Sequence, residues 1–290
     1  MPSEHPTPDT MKLHIEHKTI FTYDKPVRES VGELRLRPRD EAGQTCLTFR
    51  VQTDPTTSID PLIDRFGNTI HCYTILPPHN RLVVTAASLV ETSASSLIEA
   101  PPLPPLQRHD FLSPSRYVPC TDDLAAFART HAPEGGSADQ IAWALSQAIY
   151  RTCVYEPGST DISTAADAVL AGRRGVCQDF AHLLIALCRC LGLPARYVSG
   201  YLHDAAVRPD AIVASHAWAE IFLDGRGWLG LDPTHDCTVG PNYVRVALGR
   251  DYADATPARG IYLGDAEDTL EVRVRVRAVD NPPHGAVLTA

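Results

Sequence analysis

The chain has 290 residues, of which 44% are hydrophobic and 21% charged, a composition typical of a globular protein with a sizeable core. Its net charge of −9 argues against nucleic acid as a partner, because phosphate binding needs a basic surface. No stretch approaches the roughly 18 apolar residues of a membrane span, and the polar first ten residues lack the apolar core of a secretory signal. The sequence predicts a cytoplasmic protein without nucleic-acid or membrane partners.

The first third of the chain predicts an antiparallel β-domain. Alternation of apolar and polar residues indicates strands at residues 12–17, 32–37, 45–51 and 82–85. Residues 64–68 (DRFGN) form a turn signal between two such runs. Residues 100–105 (APPLPP) are a stiff proline-rich linker. We therefore predict an amino-terminal β-domain at 1–105 and a second domain at 106–290.

The second domain begins with helical periodicity and continues with strands. Helices are predicted at residues 122–130, 137–151, 163–171 and 177–191. Strands are predicted at 195–201, 217–223 and 227–231. Residues 270–277 alternate strictly and indicate a final strand of this domain with one basic, solvated face.

Eight cysteines are present: Cys46, Cys72, Cys120, Cys153, Cys177, Cys188, Cys190 and Cys237. Their irregular spacing in a long chain favours reduced thiols over a disulfide framework. Cys177 differs from the others because a glycine-led turn, Gly175-Val176, runs through it straight into an apolar helix. A helix amino terminus favours the thiolate, which is the nucleophilic form. Cys177 is therefore the candidate nucleophile.

Two later residues supply a candidate base and a group to orient it. His216 stands at the mouth of one predicted strand and Asp232 at the end of the next. The hairpin signal Asp224-Gly225 between them predicts that the strands lie side by side and that the two side chains face each other. A carboxylate beside an imidazole fixes its tautomer and stabilises imidazolium, which in turn holds a thiolate.

The motifs around these three residues resemble those of the transglutaminase-like superfamily. The resemblance is to its bacterial branch, whose members are proposed to be cysteine proteases. The catalytic motifs that carry the resemblance are residues 174–181 (RGVCQDFA), 191–201 (LGLPARYVSGY), 215–220 (SHAWAE) and 228–234 (WLGLDPT). The bacterial branch is matched by residues 34–39 (LRLRPR), 64–68 (DRFGN), 249–254 (GRDYAD) and 259–262 (RGIY). The resemblance covers nearly the whole chain.

The resemblance implies a papain-like α+β core, with a cysteine-bearing helix on an antiparallel sheet. Cys177 would be the nucleophile, His216 the base and Asp232 the orienting group, acting on an amide through a thioester acyl-enzyme. Backbone N–H groups, above all that of Cys177, would hold the oxyanion. Three more residues are candidates for substrate or oxyanion contacts: Gln178, Trp218 and Tyr201.

Metal ions and cofactors are not expected. Gln178 stands where calcium-dependent animal transglutaminases have tryptophan, and the sequence has no acidic cluster with the spacing of a calcium loop. His235-Asp236-Cys237 with His216 is a poor zinc set, because adjacent residues converge badly on one tetrahedral ion. His182, five residues after Cys177, should point away from the thiol into the core. Arg250 and Asp251 are interpreted as a structural ion pair.

The favoured function is a peptidase or amidase, since water is the default acyl acceptor. An amine acceptor would give an acyltransferase instead, including a biosynthetic one. A catalytically idle protein-binding module is the alternative from a different class. Peptides or proteins are the expected substrates, and the oligomeric state stays open.

Overall fold

A long first strand organises the amino-terminal sheet. In this computed structural model, which describes residues 10–93, 95–208 and 210–279, the chain begins with β1 (Thr10–Leu34), β2 (Gln44–Asp54), β3 (Ile59–Ile63), β4 (Thr69–Ile75) and β5 (His79–Ser93). The first half of β1 pairs with β5 and the second half with β4, which gives the order β2-β5-β1-β4-β3. Leu13 and Ile15 point into the core while their neighbours are only half-buried, as the period-two pattern requires. The predicted antiparallel β-domain is confirmed.

The helices follow. The chain continues through β6 (Leu97–Ile98), α1 (Pro105–Leu112), α2 (Asp122–His131), α3 (Ala138–Thr152), β7 (Val154–Tyr155), α4 (Ala166–Gly172), β8 (Arg174–Gly175) and α5 (Cys177–Cys190). The predicted helices match α2, α3 and α5 closely. Helix α4 begins three residues later than predicted, because Asp161 accepts hydrogen bonds from both the backbone N–H and the hydroxyl of Ser163 and holds a turn there. Within the described ranges, no helix combines the length and apolarity needed to cross a membrane.

A second sheet supports helix α5. It is built from β9 (Ala195–Leu202), β10 (His216–Leu223), β11 (Gly227–Asp232), β12 (Cys237–Thr238) and β13 (Tyr243–Gly249), and the chain then adds α6 (Tyr252–Ala255), β14 (Ala258–Leu263) and β15 (Asp268–Ala278). The order is β12-β11-β10-β9-β13, with β6 paired to β11. Residues 179–189 of α5 are all buried, packed between this sheet and α2, α3 and α4. This helix on an antiparallel sheet is the α+β core that the sequence predicted.

The last strand belongs to a different sheet from the one we expected. The sequence grouped residues 270–277 with the second domain, whereas β15 pairs with β1 from Leu13 to Tyr23, and β14 pairs with the second half of β1. Alternation identifies a strand but not its partner, and β1 offers a free edge opposite β5. The basic face is partly covered, since Arg275 contacts Glu16 of β1. The predicted domain limits at residues 1 and 290, and the polar residues before Thr10, lie outside the described residues.

Two amides join the sheets. The turn at residues 64–68 forms as predicted, because Asp64 Oδ1 accepts from the N–H groups of Phe66 and Asn68. The Asn68 side chain in turn bonds both the N–H (2.8 Å) and the carbonyl (2.7 Å) of Leu248 in β13. Gln44 of β2 makes the same pair of bonds, each 2.8 Å, with the backbone of Arg245. Each side-chain amide thus both donates to and accepts from the backbone of one β13 residue, as the backbone of a neighbouring strand does. These four hydrogen bonds fix the first domain against the second.

Candidate active site

Cys177 is the first residue of α5. It is half-buried, and the residue before it, Val176, has an extended backbone. The amino-terminal N–H groups of a helix have no partner within the helix, so this end of α5 presents free donors and partial positive charge beside the thiol. The position matches the one inferred from the Gly-Val-Cys turn.

A buried carboxylate fixes the entry into α5. Asp179 Oδ2 accepts hydrogen bonds from the N–H of Val176 (2.8 Å) and the hydroxyl of Thr160 (2.6 Å). An ideal Cβ on Gly175 would lie 2.7 Å from that same Oδ2, so only glycine lets the turn approach this closely. Burial raises the pKa of Asp179, and the two hydrogen bonds oppose that effect. The sequence reasoning did not single out Asp179 or Thr160 for this positioning.

His216 and Asp232 form a direct pair. His216 Nε2 lies 2.7 Å from Asp232 Oδ2, and both side chains are buried. The pairing of Ala219 with Leu231 puts Asp232 nearest to Trp218 in register, so Asp232 reaches His216 diagonally rather than from directly opposite. With Nε2 committed to Asp232, Nδ1 is the nitrogen left to face Cys177.

Asp232 holds two further side chains that the sequence reasoning did not assign to it. Its Oδ2 also accepts from His235 Nδ1 (2.7 Å) and the hydroxyl of Tyr243 (2.8 Å), while Oδ1 accepts from the N–H of Thr234 (2.8 Å). The Asp-Pro-Thr-His turn offered a local signal for His235, which we had considered only as a metal ligand. Tyr243 comes from β13 and has no local signal, since only the sheet topology brings it close.

The electrostatic environment favours the ionised forms of both His216 and Asp232. Burial alone lowers the pKa of His216, but hydrogen bonds to Asp232 and Cys177 outweigh it and raise the pKa to about 10. Burial likewise raises the pKa of Asp232, yet its hydrogen bonds to His216 and His235 hold that pKa well below the usual range for a carboxyl. At neutral pH the pair is therefore imidazolium and carboxylate.

Cys177 and His216 line the same cavity, which has a volume of about 600 Å³. Gln178 and Tyr155 lie at this end of it, and Tyr155 is brought there by the pairing of β7 with β8, in which it stands opposite Gly175. The Gln178 amide donates to the carbonyl of Ile162 (3.3 Å), so that side chain is directed away from the thiol. Of the three candidates for substrate or oxyanion contact, Gln178 is the one that borders the cavity.

The other two candidates, Trp218 and Tyr201, do not border the cavity, and a direct substrate contact by either remains a prediction of the sequence. Trp218 has no exposed surface and Tyr201 retains 2%. Trp218 packs against Tyr243 within the second domain, whereas Tyr201 packs between the two sheets with Leu13 and Val244. Trp218 stacks on the His216 ring at 6.1 Å between centroids, and its ring also packs against Gly200. Trp218 therefore helps to hold the His216 imidazole, and Tyr201 bonds to His17.

The remaining histidine prediction can be placed as well. His182 has no exposed surface, stacks on Tyr117 and accepts a hydrogen bond from the N–H of Tyr252 (3.0 Å). Burial lowers its pKa to about 3. It is a core histidine, as predicted.

The predicted ion pair of Arg250 with Asp251 does not form. Arg250 pairs with Asp254, and the Asp251 carboxylate instead accepts from the N–H of Ala253 at the start of α6.

A metal ion does not fit the cluster of His216, Asp232 and His235. Their ligand-type atoms lie within 4.8 Å of one another, but Asp232 Oδ2 is only 2.7 Å from each histidine nitrogen. Ligands bound at 2.0–2.1 Å around a tetrahedral zinc ion stand about 3.3 Å apart. The short separations are those of direct hydrogen bonds.

Two family models match the chain. Residues 13–91 match the bacterial transglutaminase-like N-terminal region, and residues 125–233 match the transglutaminase-like superfamily. The second range contains Cys177, His216 and Asp232.

Individual proteins are similar over different lengths. An uncharacterized protein of Mycobacterium leprae is 35% identical, with 91% of this chain and 98% of that protein covered. The crystal structure of a proposed cysteine protease from Cytophaga hutchinsonii superposes with a TM-score of 0.77 at 26% identity, covering 95% of this chain and 93% of the other. A protein-glutamine gamma-glutamyltransferase of Pseudomonas aeruginosa is 31% identical over 117 residues, which are 38% of this chain and 16% of that protein.

Proposed function

The chain belongs to the transglutaminase-like superfamily, and from this premise we propose that it is a cysteine-dependent amide hydrolase, a peptidase or amidase that works through a thioester. Cys177 is the nucleophile, His216 the proton carrier and Asp232 the group that orients His216. Peptides or proteins are the proposed substrates.

In the acylation step, the Cys177 thiolate attacks the amide carbonyl carbon and the carbonyl oxygen becomes an oxyanion. The free N–H groups at the start of α5, first that of Cys177, stabilise this charge. His216 donates its Nδ1 proton to the departing nitrogen while the C–N bond breaks. The products are a free amine, a thioester on Cys177 and a neutral His216.

In the deacylation step, the neutral His216 removes a proton from water as the water oxygen attacks the thioester carbonyl. Collapse of the tetrahedral intermediate breaks the C–S bond, releases the carboxylic acid and returns Cys177 as thiolate beside imidazolium. Asp232 stays ionised throughout, because its hydrogen bonds keep its pKa below the usual range. The Asp232 carboxylate therefore stabilises the imidazolium whenever it forms.

One observation carries the proposal. A cysteine at a helix amino terminus and a histidine bonded to a buried carboxylate at 2.7 Å border the same cavity. The idle-module alternative leaves this arrangement without a purpose, since a buried charged pair costs free energy to desolvate.

The test compares Cys177 with another half-buried thiol. We expect Cys177→Ala to abolish hydrolysis of a peptide mixture and Cys46→Ser, in the first sheet, to leave it unchanged. Limiting iodoacetamide at pH 7 should label Cys177 first, because burial raises the pKa of Cys46 to about 11 and also raises that of Cys153. Hydrolysis at the wild-type rate by Cys177→Ala, or earlier labelling of Cys46 or Cys153, would contradict the proposal.

Transfer to an amine is the second candidate, favoured by the similarity to the glutamyltransferase of Pseudomonas aeruginosa. The same thioester would then be attacked by a primary amine in place of water. Incorporation of a labelled primary amine faster than release of the free acid would identify an acyltransferase.

A cytoplasmic location remains a prediction of the sequence.

A further inference from the structure

The cavity beside Cys177 has a far wall that comes from the first domain. In the pairing of β1 with β15, Thr19 stands opposite Val272 and His17 opposite Val274. Side chains two apart on a strand share a face, so His17 and Thr19 of β1 lie on one face with Leu270 and Val272 of β15. His17, Thr19, Leu270 and Val272 all border the cavity.

A third wall is formed by the end of β9 and by the chain that connects β9 to β10. Leu202, Val207 and Val213 border the cavity from this side. The segment is fixed to β15 near its end, because Val213 and Val274 exchange two backbone hydrogen bonds of 2.9 and 3.1 Å. Strand β15 therefore forms part of one wall and anchors another, next to the segment that leads into His216.

The walls are apolar and carry little charge. Both ring nitrogens of His17 are occupied, by the Tyr201 hydroxyl (2.9 Å) and the Thr19 hydroxyl (3.0 Å). Burial lowers the pKa of His17 to about 4, so this ring is neutral at pH 7. Among the described residues that border the cavity, none is a lysine or arginine and Asp204 is the sole carboxylate.

We propose that this cavity binds the acyl donor, that it selects amides whose acyl part carries a large apolar side chain, and that the first domain is thereby part of the substrate site. The inference rests on the proposed function. A volume of about 600 Å³ lies in the range of small-molecule and peptide pockets, roughly 300–1,000 Å³. An acidic side chain held against the walls formed by β1, β15 and the segment before His216 would lose its hydration without gaining a lysine or arginine partner there.

The first experiment uses electrophilic peptidyl ketones that alkylate cysteine and differ only in the side chain next to the ketone: leucine, phenylalanine, glutamine or aspartate. With the full chain, we expect Cys177 to react at least about tenfold faster with the leucine or phenylalanine probe than with the other two, the discrimination that an apolar pocket supplies. Equal rates, or a preference for glutamine or aspartate, would overturn the pocket assignment.

The second experiment changes the wall. Val272→Asp should slow the leucine probe at least about tenfold while iodoacetamide, which has no side chain to place, labels Cys177 at the unchanged rate. Val272→Lys should raise the rate of the aspartate probe. Ile261→Asp on β14 is the matched control, since Ile261 is 76% exposed and does not border the cavity. It should leave every probe rate unchanged.

The outcomes separate the two proposals. Reaction of Cys177 with iodoacetamide and with all ketones, but with no loss in Val272→Asp, would overturn the pocket assignment alone. A Cys177 that reacts with neither reagent would overturn the proposed function and this inference together. Because the Val272 side chain is 38% exposed, the substitution should leave the fold intact, which circular dichroism checks.

Discussion

The two ends of the cavity are built in different ways. At the end that holds the proposed catalytic residues, Cys177, His216 and Asp232 come from one continuous stretch of helix and sheet, and each has a charged or hydrogen-bonded partner. At the other end, residues 17–19 and 270–272 meet only because the last strand returns to the first. The chemistry is therefore encoded in local motifs, whereas the proposed selectivity depends on pairing between the two ends of the chain.

The largest expected effect comes from breaking the catalytic end at Asp232. Asp232→Asn keeps the shape but can turn an N–H toward His216, which favours the wrong tautomer. We expect turnover to fall on the order of 10³–10⁴-fold, as for the same change in other triads. Tyr243→Phe is the control, because it removes one neutral donor to Asp232 and should cost far less. Steady-state kinetics on one peptide would compare them.

The same pair predicts a pH dependence of stability. The pKa of His216 is raised from 6.5 to about 10 by Asp232 and Cys177, against the effect of burial. The stabilisation by imidazolium is therefore fully present below about pH 6.5 and is lost as the pH rises through about 10. Urea unfolding at pH 6, 8 and 10 should show a difference between wild type and His216→Ala that shrinks with rising pH. A difference independent of pH would contradict the charged pair.

The buried ion pairs inside the second sheet should respond next most strongly. Glu220, fully buried in β10, accepts from Arg196 (2.6 Å) and Arg245 (2.5 Å), which hold its pKa at about 2 against the effect of burial. Glu220→Ala leaves two buried guanidinium groups without their carboxylate, so we expect a loss of about 3–5 kcal/mol in the free energy of unfolding. Glu271→Ala, in an exposed pair with Arg273, should cost nothing measurable.

Acid should weaken the same buried ion pairs. Because the folded pKa of Glu220 is depressed, its carboxylate contributes stability above about pH 4.5, and that contribution is lost as the pH falls toward 2. Denaturant titrations at pH 7 and pH 3 should therefore find wild type and Glu220→Ala closer in stability at pH 3. An equal gap at both pH values would argue against an ionised Glu220.

The difference between the two ends also explains what the sequence could predict. The hairpin signal at Asp224-Gly225 and the turn before Cys177 act over a few residues, so the catalytic strands and helix were predicted nearly to the residue. The partner of β15 and the approach of Tyr243 to Asp232 depend on tertiary pairing, which strand alternation does not encode. Trp218 was one of three candidates for a substrate contact because of its place in the motif, but its ring packs against His216 and Tyr243 and has no exposed surface.

A smaller effect is expected from the turn that leads into the nucleophile. Gly175→Ala would bring a methyl group to about the position 2.7 Å from Asp179 Oδ2, so either the Val176 N–H bond or the start of α5 must shift. Overpacking of this kind costs about 1–3 kcal/mol. We expect both a lower free energy of unfolding and slower alkylation of Cys177 by iodoacetamide. Gly158→Ala, where an added Cβ meets nothing within 4 Å, is a control in the same region. Gly158 has a positive φ, so any loss of stability in Gly158→Ala measures backbone strain without a steric clash.

The smallest effect should come from His235, which separates orientation of Asp232 from proton transfer. His235 bonds Asp232 Oδ2 but is 47% exposed, so water can replace it and the bond contributes little. His235→Ala should lower turnover only about threefold, which corresponds to roughly 0.7 kcal/mol, with the ratio of rates for the leucine and aspartate probes unchanged. A loss near that of Asp232→Asn would instead make His235 a member of the catalytic group.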